Sequence, residues 1–378
     1  MEFRKRRETP PADGPLPLGE LLRQVKRQAP LVHCITNYVT ARDCANLLLA
    51  CGASPVMADD VEEVAEITAV SSGLYLNLGT LHRSSASAML AAGTRAGEVG
   101  IPVLLDPVGV GASRFRRETA GKLLDAVPVA VIRGNASEIK TLVLGSAGAR
   151  GVDADITDQV TQENLEATAA LAQTLAGKTG AVVALTGAVD VVTDGDKAVF
   201  IRNGHPMMCR VTGMGCQLSA LTAAFVAANP DKPLEGAVAA VCVMGLCGEM
   251  AFARLSGQDG TASFGVYLMD AISRLTPEEL ERNEEAYLLT QKQRAFERDV
   301  RSAKLESAAL KAAGLDGAEM AQTAEALAKN YEAWCRENNL TPRAQRLQVF
   351  VADKQLLWYN NKKRRGAFGP NSTTSTGH

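Results

Sequence analysis

The stretch LYLNLGTLHRSSASAMLAAGTRAGEVGIPVLLDPV, residues 74–108, decides the fold class of this chain. It begins and ends with short apolar runs of strand-like composition, LYLNLG (74–79) and PVLLDPV (102–108), and the segment between them has helical period. Strands of such apolar character, joined by a helix, are typical of a parallel sheet that is covered on both faces. The stretch therefore predicts an α/β domain with helices packed against a largely parallel sheet.

The same alternation continues on both sides of this stretch. Further strand-like runs are LVHCI (31–35), SPVMA (54–58), VAVIRG (129–134) and AVVALTG (181–187). The runs VDVVTDG and AVFIRNG then predict a β-hairpin with a turn at 194–196. Mostly helices follow, and we predict them over residues 216–228, 234–255, 261–275 and 277–288.

Length and composition fit a globular protein with one large domain and an appendage, or with two ordinary domains. The chain has 378 residues, of which 46% are hydrophobic and 22% are charged. Its formal net charge of −2 favours neither nucleic-acid nor membrane binding. Residues 1–17 are basic and then Pro-rich, which predicts a disordered leader and not a signal peptide. The apolar run from Ala237 is too short to span a bilayer. We therefore expect a cytoplasmic protein.

The eight cysteines support this expectation. They form no Cys-x-x-Cys pair, and several lie in apolar stretches such as VCVMGLC (241–247). Most of them are therefore interpreted as small buried apolar residues in a reducing compartment, not as disulfide partners. Cys216 is the exception, because its neighbourhood suggests a chemical role.

The C-terminal part of the chain differs in character. From Leu289 onward there are 15 Lys/Arg against 9 Asp/Glu. We predict charged helices over 291–313 and 318–338, and the cluster KKRR (362–365) near the end is typical of a solvated tail. The predicted organisation is a leader (1–17), an α/β domain (18–288) and a helical, basic extension with a disordered end (289–378).

The strongest local feature is VTGMGCQLSA, residues 211–220, where a strand or loop leads into an apolar helix. The first backbone N–H groups of a helix have no partner within it, and they lie at the positive end of its dipole. The glycines of Gly213-Met214-Gly215 would let an anion approach this backbone closely. The stretch therefore predicts a cradle for a phosphoryl group in transfer, although a simple Gly-rich loop is the alternative.

Cys216 lies in the first turn of that predicted helix. A thiol in this position is expected to have a pKa below its ordinary value, so Cys216 could accept the proton of a substrate hydroxyl. A thiolate is a soft base, and phosphoryl transfer needs little deprotonation when its transition state is loose. Chemistry alone leaves both roles open, that of a catalytic residue and that of a residue packed beside the substrate.

Polar residues also follow the predicted strands. Asp106 ends PVLLDPV, and Asn135 and Glu138 follow VAVIRG within one helical turn. Hard oxygen ligands of this kind suit Mg²⁺ held together with phosphates. Asn135 and Glu138 could instead form a helix cap. Arg133 could pair with phosphate oxygens, and all these positions lie at strand ends where open α/β sheets bind ligands.

The chain resembles the hydroxyethylthiazole kinases of the ribokinase-like superfamily over about residues 18–288. The matching motifs, in the family's order, are HCITNYVT (33–40), SPVMADDVEEV (54–64), LNLGTL (76–81), LLDPVGVGAS (104–113), IRGNASEI (132–139), ALTGAVDVV (184–192) and VTGMGC (211–216). Most of the superfamily has Asp at the position of Cys216, so the cysteine favours thiazole kinases over sugar and pyrimidine kinases. The family often has Ala or Thr where this chain has Met214.

The resemblance implies a ribokinase-like layered α/β/α domain that uses ATP and Mg²⁺ to phosphorylate 4-methyl-5-(2-hydroxyethyl)thiazole for thiamine synthesis or salvage. It also implies a homotrimer with active sites at the subunit interfaces. The implied thiazole contacts are Asn37, Val39, Met57 and Gly213, with Gly79 and Thr80 reaching in from the neighbouring subunit. The implied roles of the others are ATP binding by Arg133 and Thr186, Mg²⁺ binding by Asp106 and Glu138, and catalysis by Cys216.

Two other functions are compatible with the sequence. The same fold could phosphorylate a pyrimidine alcohol, although Cys216 argues against this. The run TQKQRAFERDVRSAKLESAAL (290–310) is distantly similar to C-terminal regions of phage minor capsid proteins. A phage-associated interaction protein without turnover is therefore the alternative from another class, and the joint presence of Arg133, Glu138 and Cys216 argues against it.

Overall fold

A sheet of nine strands runs through the described part of the chain, which in this computed structural model comprises residues 16–145 and 165–290. In chain order the strands are β1 (Leu31–Ile35), β2 (Ser54–Met57), β3 (Gly73–Asn77), β4 (Val103–Asp106), β5 (Val129–Asn135), β6 (Val182–Thr186), β7 (Asp190–Thr193), β8 (Ala198–Ile201) and β9 (Leu288–Thr290). Their order across the sheet is β2-β1-β3-β4-β5-β6-β7-β8-β9. Strands β1 to β6 are parallel, and β7, β8 and β9 pair antiparallel.

Helices cover both faces of this sheet. They are α1 (Leu18–Gln28), α2 (Ala41–Cys51), α3 (Val64–Val70), α4 (Arg83–Val99), α5 (Arg114–Ala126), α6 (Ala136–Leu144), α7 (Leu165–Thr179), α8 (Met214–Ala228), α9 (Pro233–Arg254), α10 (Thr261–Arg274) and α11 (Pro277–Tyr287). Two apolar cores result. One lies between the sheet and α1, α2 and α8 to α11, and the other between the sheet and α3 to α7. The predicted layered α/β/α architecture is therefore confirmed.

Strand β4 shows why these residues form a central strand. All four of its residues are buried. Successive side chains of a strand point to opposite faces, and accordingly Leu104 belongs to the first core while Val103 and Leu105 belong to the second. Asp106 then lies at the carboxyl end of the strand, buried between the two layers. The apolar run thus carries a carboxylate to the edge of the sheet.

Most predicted elements agree with the structure to within one or two residues. The hairpin forms from β7 and β8, and Asp194 accepts backbone hydrogen bonds from Asp196 and Lys197 in its turn. The helix predicted from Cys216 begins earlier, at Met214. The helix predicted to reach Leu288 ends at Tyr287, and the short strand β9 that follows was not predicted. Three residues are too few to show a period, so pairing with β8 decides their conformation.

The cysteines of the described residues are all free. As predicted, most of them are buried apolar residues: Cys34, Cys44, Cys51, Cys242 and Cys247. Helix α9 has the length and apolarity of a membrane span, and most of it is buried inside this domain. The leader, apart from its last two residues, lies outside the described part of the chain, and so do the two predicted C-terminal helices and the KKRR cluster.

Candidate active site

The carboxyl edge of the parallel strands collects most of the predicted site residues. Asn37 follows β1, Asp106 ends β4, Arg133 lies in β5 and Thr186 ends β6. Because these strands are parallel, their carboxyl ends meet at one edge of the sheet, where α/β domains bind ligands. The N-terminus of α8 lies at the same edge, since the hydroxyl of Tyr75 in β3 donates to the Cys216 carbonyl oxygen at 3.0 Å.

Helix α8 begins with an open N-terminus. Gly213 precedes it with a φ of 87°, in the left-handed region that favours glycine, and a Cβ there would lie 2.6 Å from Thr40 Cγ2. No side chain caps the helix, and its first internal bond joins the Gln217 N–H to the Gly213 carbonyl. The N–H groups of Met214, Gly215 and Cys216 therefore have no partner within the helix. This agrees with the predicted anion cradle.

Arg133 brings a positive charge to the same helix end. A Cβ on Gly215 would lie 2.5 Å from Arg133 Nη1, so the guanidinium packs directly against the glycine backbone. Its Nη2 donates to Thr186 Oγ1 at 2.6 Å, while its buried Nε has no hydrogen-bond partner among the described residues. A cation held against the positive end of a helix dipole is unfavourable unless an anion lies between them. The geometry therefore indicates an anion site bounded by Arg133 and the first turn of α8.

Asp106 is fully buried beside this anion site. Its Oδ2 lies 2.8 Å from Ser219 Oγ, 2.9 Å from Asn77 Nδ2 and 3.3 Å from the Tyr75 hydroxyl. Its Oδ1 is also buried, but it has no partner among the residues described. Burial raises the pKa of this carboxyl, and the charge of Arg133 opposes that rise. An unpartnered buried carboxylate oxygen is a group that would bind a cation or its water ligand.

Glu138 and Asn135 form the helix cap that the sequence left as an alternative. Glu138 Oε2 accepts the Asn135 N–H at 2.8 Å, and Asn135 Oδ1 accepts the Glu138 N–H at 2.9 Å. The other carboxylate oxygen, Oε1, accepts the Gly109 N–H at 3.0 Å. Burial, followed by the charge of Asp106, raises the pKa of Glu138. The two roles are compatible, since each carboxylate oxygen has a second lone pair that could bind a metal or its water.

The prediction that the Cys216 thiol has a lowered pKa is wrong. Its Sγ lies 3.4 Å from Asn37 Nδ2 and 3.3 Å from Asn77 Nδ2, next to the N-terminus of α8. Burial raises its pKa, and the nearby charge of Asp106 raises it further. These two effects outweigh the hydrogen bonds with Thr40 and Asn77 and the charge of Arg133, so the side chain is a neutral thiol in the free protein near neutral pH.

The residues assigned to the thiazole fall into two groups. Asn37 and Gly79 are neighbours in the same chain, since a Cβ on Gly79 would lie 2.9 Å from Asn37 Cβ, and Asn37 contacts Cys216. Val39 and Met57 are 56% and 41% exposed, so neither side chain is part of the core.

Thr80 has a φ of 45°, which is rare for a β-branched residue. Strained residues of this kind concentrate at ligand sites. Thr80 follows Gly79, whose N–H donates to Asn77 Oδ1 at 2.8 Å. The strain is therefore consistent with the ligand-contact role that the resemblance implies for this loop.

Sequence reasoning missed three polar residues of the site, Tyr75, Asn77 and Ser219. Two weak signals were available, because Tyr75 and Asn77 share one face of a strand and Ser219 follows Cys216 by three residues in a helix. His33, in β1, is buried and bonded to Thr68 Oγ1 and to the Ala58 carbonyl, each at 2.9 Å. It has a structural role.

An anion cradle that faces buried carboxylates across the edge of a parallel sheet is an arrangement that transfers phosphoryl groups by positioning and charge stabilisation. Fold and site thus define the class, an α/β small-molecule kinase. The chain belongs to the hydroxyethylthiazole kinase family, whose family model matches residues 22–278.

Individual relatives agree with this assignment. The chain is 52% identical over 264 residues to a hydroxyethylthiazole kinase from Clostridium acetobutylicum, a match that covers 70% of this chain and 97% of the relative. A hydroxyethylthiazole kinase from Methanoculleus marisnigri is 48% identical over 268 residues, 71% of this chain and 92% of the relative. The solved hydroxyethylthiazole kinase structure from Pyrococcus horikoshii matches with a TM-score of 0.62 and 36% identity, covering 72% of this chain and 98% of the other. The fold is therefore that of a hydroxyethylthiazole kinase.

Substitution of Gly215→Ala tests the contact between Arg133 and α8. The added methyl group would displace the end of a flexible arginine side chain, so the fold should tolerate it. Alanine also favours a helix over glycine by about 1 kcal/mol. We expect the melting temperature to stay equal or rise, while the KM for ATP increases at least about tenfold, as for loss of a charge-assisted contact. Calorimetry and steady-state kinetics measure the two effects.

Gly121→Ala is the matched control, because Gly121 lies inside α5 and an added Cβ there would meet nothing within 4 Å. It should give the same gain in helix stability with unchanged kinetics. An unchanged KM for ATP in the Gly215→Ala variant would show that Arg133 does not bind nucleotide at this helix end.

Proposed function

We propose that this protein transfers the γ-phosphoryl group of ATP to the primary alcohol of 4-methyl-5-(2-hydroxyethyl)thiazole. The product would be the thiazole phosphate used in thiamine synthesis or salvage in the cytoplasm. The observation that carries the proposal is the guanidinium of Arg133 packed against Gly215 at the N-terminus of α8. Family membership supports the thiazole as the acceptor, because relatives that match most of this domain are named hydroxyethylthiazole kinases.

The residues at the helix end would hold the phosphoryl group as it migrates. The N–H groups of Met214, Gly215 and Cys216 lie at the positive end of α8. Arg133, packed against Gly215, adds a cation that can bind two phosphate oxygens at once. Negative charge spreads over the phosphoryl oxygens in the transition state. Donors that are already in place stabilise this charge without reorganisation, which is the main catalytic contribution that a protein makes here.

The thiazole would lie beside Asn37 and Gly213, with its hydroxyl near Cys216. Asn37 is held in place on both sides, because its Oδ1 accepts the Thr40 N–H at 3.1 Å and its Nδ2 donates to Asn77 Oδ1 at 3.1 Å. A neutral Cys216 thiol would position the alcohol and would not remove its proton in the ground state. This is sufficient if the transition state is loose, since little deprotonation is then needed.

The carboxylates fit a magnesium ion held jointly with the phosphates. Asp106 Oδ1 is buried without a partner among the described residues, and Glu138 lies close enough that the charge of Asp106 raises its pKa. Asp106 and Glu138 would bind the ion directly or through its water ligands. When bound, Mg²⁺ neutralises charge on the β- and γ-phosphates and leaves the protein to position the groups.

A substrate panel tests the function directly. Purified protein with Mg²⁺·ATP should form ADP in the presence of the thiazole alcohol, and at least about tenfold more slowly with a pyrimidine alcohol, because one group that does not match its pocket costs on this order. Coupled ADP detection and mass analysis of the product measure both. Equal rates with the two acceptors would favour the pyrimidine alternative, and no turnover with either would favour the non-catalytic one.

Substitution of Glu138→Gln tests the metal assignment. The neutral side chain would weaken Mg²⁺ binding, so we expect kcat to fall by at least about tenfold while the KM for the thiazole stays within about twofold, because the ion acts on the transferring phosphoryl group. Kinetics at varied Mg²⁺ measure this. Unchanged kcat and Mg²⁺ dependence would show that Glu138 serves only as a helix cap.

The same substitution in another capping box controls for lost helix stability. Glu279 accepts the Thr276 N–H at 3.0 Å, and Thr276 Oγ1 accepts the Glu279 N–H at 3.2 Å. Glu279→Gln therefore weakens a helix start in α11, outside the active site. We expect its kinetics to match those of the unmodified protein.

A homotrimer with interface active sites completes the proposal. Apolar side chains near the site are exposed in the single chain, among them Val39 and Val61. Together with the strained Thr80, they support an interface at which the loop after β3 reaches a neighbouring thiazole site.

Co-expression of two inactive variants tests this arrangement. Thr80→Arg would block the neighbour's thiazole site, and Arg133→Ala would disable the ATP site of its own chain. Mixed trimers should regain activity, up to about a quarter of all sites, because some sites then combine an intact Arg133 with an intact Thr80. Mixed trimers that stay inactive, or a monomer in sedimentation analysis, would contradict the interface site.

A further inference from the structure

The residues that hold Asp106 have no role yet in the proposed reaction. We propose that Asn77 and Ser219 are positioning residues that fix one carboxylate oxygen of Asp106, so that the other oxygen is presented to the Mg²⁺·nucleotide. This inference deepens the proposed function and rests on it. It concerns which oxygen of Asp106 acts and what determines this.

The orientation of Asn77 follows from its contacts. Its Oδ1 accepts the Gly79 N–H at 2.8 Å, and a backbone N–H is always a donor. The amide nitrogen must therefore point the other way, where Nδ2 lies 2.9 Å from Asp106 Oδ2 and 2.7 Å from the Tyr75 hydroxyl oxygen. A flipped amide would bring its oxygen against a carboxylate oxygen, so Asn77 can only donate to Asp106.

Ser219 contacts the same oxygen from helix α8, whereas Asn77 contacts it from strand β3. Its hydroxyl is fully buried in α8 and donates to Asp106 Oδ2 at 2.8 Å. The Tyr75 hydroxyl makes the longest of the three contacts to Oδ2, at 3.3 Å. Its oxygen lies closer to the Cys216 carbonyl oxygen, at 3.0 Å, and the hydroxyl has a single proton to donate. Asn77 and Ser219 are thus the short contacts to Oδ2. One comes from β3 and the other from α8, so together they prevent rotation of the carboxylate.

Because Asn77 and Ser219 both donate to Oδ2, the other oxygen of Asp106, Oδ1, is left without a donor in the part of the chain that the structure describes. Both oxygens of Asp106 are buried, yet the described residues give Oδ2 all the donors and give Oδ1 none. Leaving a buried charged acceptor without a partner is costly. An arrangement in which donors are available but are all directed to one oxygen is expected where the other oxygen has to receive a ligand.

Asn77 also connects this carboxylate to the acceptor side of the site. Its Nδ2 lies 3.3 Å from Cys216 Sγ, and its Oδ1 accepts the Asn37 Nδ2 at 3.1 Å. The side chain therefore contacts residues assigned to the thiazole and a residue assigned to the metal. Ser219 lacks these thiazole-side contacts, so it provides the cleaner test of how Asp106 is held.

The test measures Mg²⁺-dependent binding of ADP by isothermal calorimetry, without thiazole and without turnover. We compare the unmodified protein, Ser219→Ala, Asp106→Asn and the double variant, each with Mg²⁺ and with EDTA. The quantity of interest is the ratio of ADP affinities with and without Mg²⁺. Ser219→Ala should reduce this ratio about three- to tenfold, as expected for the net loss of one ordinary hydrogen bond. Affinity in EDTA should be unchanged.

The double variant shows whether Ser219 acts through Asp106. In the Asp106→Asn background, Ser219→Ala should cause no further loss of the Mg²⁺ effect, because the oxygen that Ser219 positions no longer carries charge. Equal losses in both backgrounds would overturn the proposal. So would an unchanged ratio in Ser219→Ala, or an unmodified protein whose ADP affinity does not respond to Mg²⁺.

Thr222→Val is the matched control. Thr222 is buried in the same helix, and its hydroxyl donates to the Leu218 carbonyl at 2.8 Å and not to Asp106. Thr222→Val should leave the ratio of ADP affinities with and without Mg²⁺ unchanged. If it lowered this ratio as much as Ser219→Ala does, the effect of Ser219 would be only structural. Should Ser219→Ala not fold, Ser219→Cys replaces the hydroxyl by a weak donor of similar size and gives the same readout.

The result is separable from that of the proposed function. The binding measurement contains no acceptor alcohol. A protein that shows the expected Mg²⁺ dependence but does not phosphorylate the thiazole would therefore contradict the proposed substrate, while the positioning role of Ser219 would stand. A protein that phosphorylates the thiazole but shows no effect of Ser219→Ala would refute only the positioning role.

Discussion

The burial of the Asp106 carboxyl is the constraint on which this site depends. A carboxylate at the end of a central strand loses its hydration, and it stays ionised only if the protein supplies donors and a positive charge. Burial raises the pKa of the Asp106 carboxyl, and the structure opposes this rise: Arg133 supplies a positive charge, and Asn77 and Ser219 donate to one oxygen. The hydrogen bond from Ser219 links β4 to α8, so the contact that stabilises the charge also ties the phosphate cradle to the sheet.

Charge balance explains why the site is incomplete without its substrates. Arg133 and the N-terminus of α8 concentrate positive charge at one helix end, and next to it lie two buried carboxyl groups, Asp106 and Glu138, whose pKa values burial raises. In the proposed function a phosphate would satisfy the first group and a divalent cation the second, so a metal–nucleotide complex would neutralise both at once. Binding of the pair should therefore be favoured over binding of either component alone.

Much of this could be predicted from the sequence, because the relevant patterns are local. The run PVLLDPV identified a central strand with a carboxylate at its end, and Gly213-Met214-Gly215 identified an open helix start. The contacts of Asn77 and Ser219 could not be predicted in the same way, because they join residues 29 and 113 positions from Asp106. The pKa of Cys216 was mispredicted for a related reason. Its position in the helix was visible in the sequence, but its burial and its distance from Asp106 are properties of the fold.

The same electrostatics give a reason for a cysteine at position 216. A carboxylate there would be a further negative charge in a site that already contains Asp106 and Glu138, and mutual repulsion would raise the pKa of each. A thiol whose pKa is raised by burial and by Asp106 adds no charge at neutral pH, and it can still contact an alcohol. The positive charges at the helix end then remain available to the phosphoryl group. In the proposed reaction a neutral cysteine would leave the stabilisation of the phosphoryl charge to the amides of α8 and to Arg133.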